Sequence, residues 1–128
     1  MTVAEAMKKM ILFSNGNQHD INHFLKVHAY AAAIGACEGL PEDTLQTLEL
    51  AAIVHDIACP LCREKYGNTN GNYQQLEGAP LTRDFFAGTD IPADQLERIV
   101  WLVAHHHTLR PIEGPDHQIL IEADYLVN

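Results

Sequence analysis

The run Leu45-Gln46-Thr47-Leu48-Glu49-Leu50-Ala51-Ala52-Ile53-Val54 leads straight into an adjacent pair, His55-Asp56. Its apolar residues recur at helical spacing and predict a helix with its apolar side toward a core. Leu48, Ala51 and Ala52 lie seven, four and three positions before His55, so the imidazole falls on the same buried stripe. The next residue is a carboxylate. An imidazole and an acid delivered side by side into an apolar interior must be met there by other polar groups, because an unpartnered buried charge costs several kcal/mol. That requirement limits how the rest of the chain can pack.

The remaining segments read mostly as helices. Residues 3–14 carry a partial stripe of Ala4, Met7, Ile11 and Phe13, broken by Asn15-Gly16-Asn17. A second helix starts near His19-Asp20 and runs to Cys37, with His23 beside Val27, Tyr30 and Ile34. Gly39 is its expected cap and Pro41 its stop. Asp43 or Thr44 is expected to cap the third helix. Cys59-Pro60 is expected to end or kink that helix. The stretch Tyr66 to Tyr73 is rich in Gly and Asn and reads as a functional loop. Gln74 to Gly88 returns to helix in short pieces. Asp90 to Asp94 opens a helix that reaches His105-His106-His107, and a last helix begins near Pro115-Asp116. Nothing alternates with period two. The expectation is one all-α domain over residues 1–128, a bundle of about six helices.

The formal charge of −9 argues against partners with a phosphate backbone, whether a nucleic-acid polymer or an anionic membrane surface. A phosphorylated small molecule stays admissible, because a bound metal reverses the local sign. No apolar run approaches 18 residues and the N-terminus lacks the pattern of a signal peptide. Three cysteines form no disulfide framework, so a reducing, cytoplasmic setting is expected.

Four polar positions lie on apolar stripes of four helices: His23, His55, His106 and Asp124. Such groups are best explained if they meet. Imidazoles and carboxylates around one point suit a divalent ion of the Zn, Mn, Fe, Co or Ni type. His105, His106 and His107 also suit the negative end of a helix dipole, and His106 is the one that periodicity turns inward. His19, His28 and His117 are expected at the surface or behind the site. Cys59 and Cys62 have the spacing of half a zinc knuckle, but no second pair exists and a structural role is expected.

The order His23 … His55-Asp56 … Asp124 resembles that of the HD-domain metal-dependent phosphohydrolases. The contexts Asp20 to Val27, Ala51 to Ile57 and Ile119 to Asn128 carry the resemblance, with Lys65-Tyr66-Gly67, Tyr73-Gln74, Glu77-Gly78 and His105 to Thr108 similar to a subgroup of small stand-alone bacterial proteins. It implies the HD-domain fold, with His23, His55, Asp56 and Asp124 holding one metal. Where relatives bind a second ion, the acid of the pair bridges both. His105, His106 and Glu77 are then further candidate ligands, and Asp20 is a candidate for the second ion or for a ligand's ring N–H. Magnesium is also admissible. Ala58 stands where the family often has glycine. The chain stops four residues after Asp124, where related domains continue, so a shortened, frayed last helix is expected.

The implied activity is hydrolysis of a phosphate ester or anhydride in a small molecule, a nucleotide foremost, by metal-activated water. Asp56 is expected to remain an ionised ligand. Lys26, Lys65 and Arg110 are the candidate holders of phosphate charge. Two alternatives remain: a di-iron oxygenase of the same superfamily, and a nucleotide- or partner-binding module without turnover. A homodimer is compatible with the sequence.

Overall fold

A computed structural model describes all 128 residues. Its elements are α1 (Val3–Phe13), α2 (Gln18–Cys37), α3 (Glu42–Val54), α4 (Cys59–Tyr66), α5 (Gly71–Phe86), α6 (Ala93–His105) and α7 (Pro115–Val127), with no strand. The ends follow local chemistry. Thr2 accepts from the Glu5 amide while Glu5 accepts from the Thr2 amide, closing a capping box on α1. Asn17 caps α2 by accepting from the Asp20 amide, which fixes Asp20 in its first turn. Gly39, at φ +70, turns the chain out of α2, and Leu40 N donates back to Gly35 O.

Several expectations need correction. The seventh helix is α4, because Pro60 lies in its first turn, where proline is tolerated, and therefore starts a helix after the break. The expected Gly/Asn loop shrinks to Gly67–Asn70, since Gly71 to Tyr73 already belong to α5. That helix is continuous through Pro80 rather than in pieces. Pro41 takes the N-cap position of α3, without a side-chain cap, in place of Asp43 or Thr44. At the other end of the chain α7 stays helical through Val127, and Asn128 donates from its side chain to Asp124 O.

The architecture is built around α3. Leu48, Leu50, Ala51, Ala52, Ile53 and Val54 are all fully buried, so from Leu48 onward only Glu49 interrupts an apolar surface that is wider than one stripe. It packs against α1, α2, α6 and α7, while α2 also lies along α7 and α5 along α6. Close approach has a sequence cause at Gly35, where an added Cβ would sit 2.7 Å from Leu45 Cδ1. The stretch Glu42–Tyr66 is apolar and long enough to resemble a membrane span by composition. It is two helices separated at residues 55–58, and 67% of its most apolar window is buried against the rest of the chain. Its hydropathy is that of a core.

Leu120 is fully buried one turn before Asp124 on α7. Replacing Leu120 with Ala should lower the unfolding free energy by about 2–5 kcal/mol, with the helical circular dichroism intact. Denaturant titration of the metal-free protein measures it, and a loss under about 1 kcal/mol would show that α7 is not tied to the core as described.

Candidate metal centre

The α-helical hydrogen-bond pattern ends at Val54 and tightens into turns. His55 has helical φ and ψ as the cap residue of α3, and residues 55–58 form tight turns before α4 begins. Ile57 N donates to Val54 O and Cys59 N to Asp56 O. This break matters because neighbouring residues on a regular helix point about 100° apart and do not face one site. Here the two side chains converge, with His55 Nε2 3.3 Å from Asp56 Oδ2. Ala58 needs no glycine-like freedom, since its φ is −80.

Two other helices complete the cluster. From α2, His23 Nε2 lies 3.1 Å from Asp56 Oδ2, 3.1 Å from Asp124 Oδ1 and 3.2 Å from His55 Nε2. From α7, Asp124 Oδ1 lies 3.5 Å from His55 Nε2. Nitrogen or oxygen ligands about 2.1 Å from one ion are separated by about 3.0 Å at right angles and about 3.4 Å in a tetrahedron. The observed spacings fall on that scale. His55 is 1% exposed, and its Nδ1–H donates to Ala52 O at 2.6 Å. In the neutral ring that bond leaves Nε2 bare and aimed at two carboxylates, which is the tautomer a metal ligand requires.

A second group stands beside the first. His106 is 2% exposed, and its Nδ1–H donates to Val103 O at 2.7 Å. Its Nε2 makes no hydrogen bond, although Asp56 Oδ1 is 3.2 Å away. An orphaned buried nitrogen of this kind calls for a partner. Asp56 therefore offers Oδ2 to His23 and His55, and Oδ1 to His106. His107, with its ring centroid 4.0 Å from that of His106, brings a nitrogen within reach of the same carboxylate. The donor set fits a divalent ion at His23, His55, Asp56 and Asp124, and a second at Asp56, His106 and His107.

The structure does not bring the other candidates to this cluster. His105 lies flat on Trp101, with Nδ1 bonded to Trp101 O. Glu77 accepts at 2.7 Å from both Lys65 and the Tyr66 hydroxyl, so Lys65 and Glu77 satisfy each other. Lys26 and Arg110 are exposed, and neither lines the cavity at the cluster. Asp20 does line that cavity, but its two oxygens accept from Arg63. The three histidines expected outside the site divide. His19 is exposed and His28 is 3.0 Å from Glu49. His117 is fully buried: its Nδ1 accepts from Glu113 N while its Nε2–H donates to His105 O. It braces the connection between α6 and α7. Cys59 and Cys62 are buried and unbonded, and burial pushes both thiols up, away from thiolate chemistry.

Sequence reasoning did not single out His107 or Arg63. Helical periodicity carries no signal for His107, because α6 ends at His105 and the following residues leave the helical period.

Without an ion, protons hold the cluster together. Hydrogen bonds from Asp124 and Asp56 raise the His23 pKa to about 9 against the opposing effect of burial. Burial opposes a charge on His55, yet Asp56 and Asp124 beside it hold its pKa well above the usual value. Burial likewise opposes ionisation of Asp56 and Asp124, and the facing imidazoles override it and hold both carboxyls low.

The two directions define a window. The depressed carboxylates contribute stability above their ordinary value of 3.8 and lose it as pH falls. The raised His23 contributes fully below 6.5 and loses that contribution as pH rises toward about 9. The metal-free protein should therefore melt highest between about pH 4 and 6.5, with Tm falling from 6.5 to about 9 and a shallower fall in His23→Gln. Metal ligation needs the deprotonated rings, so the gain in Tm on adding a divalent ion should grow over the same interval. Calorimetry with and without chelator measures both, and a metal-free Tm that rises between pH 6.5 and about 9 would contradict the proton-held cluster.

A family model described as the HD domain matches residues 20–128. No curated protein and no solved structure matches the chain.

Proposed function

The chain belongs to the HD-domain family, whose members are in general metal-dependent phosphohydrolases, and we propose that it hydrolyses a phosphate ester or anhydride in a small molecule. A nucleotide is the leading substrate class by resemblance to the family. The observation that carries the reading is the division of Asp56, with one oxygen toward His23 and His55 and the other toward His106. A carboxylate so placed could be shared by two ions.

Divalent ions held there would supply Lewis acidity toward a phosphoryl oxygen and a water nucleophile at neutral pH. The protein's part is orientation and charge. Ala52 O and Val103 O fix the ring tautomers of His55 and His106. Asp56, held ionised by the imidazoles, acts as a ligand and not as a proton carrier. A cavity of about 250 Å³ opens on His23, Asp56, Asp124 and His107 and has room for a phosphate with part of its ester group.

Elemental analysis with a phosphatase and phosphodiesterase screen tests this. Two ions per chain are expected, with phosphate released from at least one class of small phosphate compound. His106→Ala should drop the content to one ion. Asp56→Asn should lower kcat at least about 100-fold, beyond what loss of an outer-shell partner causes. The same bridging geometry suits a di-iron oxygenase: two irons, a mixed-valence signal and no phosphate release would replace the hydrolase reading with that one. A protein that takes up no ion from Mn, Fe, Co, Ni, Zn or Mg would be a binding module.

A further inference from the structure

We propose that Arg63 binds the phosphate group presented to the metal centre, and that Asp20 is the residue that positions it. The inference rests on the phosphate chemistry proposed above. Of the eight Lys and Arg residues, Arg63 alone lines the cavity that opens on His23, Asp56 and Asp124. The others are committed or remote from it. Lys9 donates to Phe85 O, Lys65 to Glu77, Arg83 to Glu97 and Arg98 to Asp116. Lys8, Lys26 and Arg110 are exposed and do not reach the cavity wall.

The placement has a structural cause. Asn17 fixes Asp20 in the first turn of α2, three residues before His23. Both terminal nitrogens of Arg63, from α4, donate to the two oxygens of Asp20. Asp20 stands three residues, or about 4.5 Å of helix rise, before His23 on α2, and the guanidinium it holds lines the same cavity as His23, Asp56 and Asp124. A phosphate in that cavity would be met by a charge-assisted hydrogen bond of about 2.8 Å. Asp20 occupies one edge of the planar fork and leaves further N–H donors free. The Arg63 side chain is 42% exposed against 18% for Asp20, so the cation, and not its partner, is what an incoming anion meets.

A simpler role for the pair is a strut between α2 and α4, and phosphate binding separates the two. Inorganic phosphate is titrated calorimetrically into manganese-loaded protein, with metal content and Tm recorded for each variant. Arg63→Gln should weaken phosphate binding at least about tenfold with metal content unchanged, and Arg63→Lys should recover part of the loss. Asp20→Asn should weaken it several-fold, although loss of a negative charge would by itself tighten anion binding. Arg63→Gln that binds phosphate like the parent protein overturns the proposal, as does a fully metal-loaded parent that binds none. Should Arg63→Gln not fold, Arg63→Lys decides: parent-like affinity in that variant removes the planar fork from phosphate recognition. Tighter binding in Asp20→Asn overturns the positioning role. Loss of phosphate binding on changing Arg63, in a protein that turns over no phosphate compound, would leave this assignment standing and remove the hydrolase reading.

Discussion

Everything in this molecule is arranged around the burial of His55. A fully buried imidazole directly after the apolar run Leu50 to Val54 is tolerable only if both ring nitrogens are answered. Ala52 O answers Nδ1 from within the helix. Nε2 can be answered only from elsewhere, and α2 and α7 bring His23 and Asp124 to it. The packing of α2 and α7 on α3 is therefore also the assembly of the site. Core and centre are one construction, so loosening either should be felt in both.

The break after Val54 is the local device that makes this possible. A regular helix would have turned Asp56 away from His55. The turn at residues 55–58 brings the carboxylate back beside the imidazole, and Pro60 restarts the helix at once. The same device recurs at the end of α6, where His106 leaves the helix as a cap residue and turns its bare nitrogen to Asp56. Two helix ends, each with its ring held by a carbonyl three residues back, thus face one carboxylate.

Much of this was legible in the sequence, and the legible part was the helical part. His23, His55, His106 and Asp124 stand on apolar stripes, and periodicity alone puts them on inner faces. The all-α class followed from the same periods. The unread parts lie where the chain leaves the helix or where partners are distant in sequence. His107 belongs to a turn after α6, and the seventh helix begins at a proline that reads equally as a stop. Lys65 is one of three sequence candidates for holding phosphate charge, with Lys26 and Arg110, yet Glu77, twelve residues on, takes its charge. Arg63 lies two residues earlier, on a different face of α4, and only the packed structure puts it against Asp20. Charge pairing across helices leaves no periodic trace.

The overall charge of −9 would repel a phosphate substrate, so attraction must be local. On the proposed reading, Asp56 and Asp124 would just balance one divalent ion and leave the centre neutral. A second ion sharing Asp56 would add only the neutral imidazoles of His106 and His107, and the centre would become positive by two charges. That is the charge a phosphate dianion requires. Sharing of Asp56 would create that imbalance, and a separate carboxylate for the second ion would partly cancel it. Glu77 is not such a carboxylate, since it accepts from Lys65 and Tyr66 and does not line the cavity at the cluster. Arg63, as proposed, would contribute direction more than net charge, because Asp20 balances it while the guanidinium stays partly exposed. On this reading the pull on an anion would come from the ions, and its orientation from the Arg63 fork proposed above.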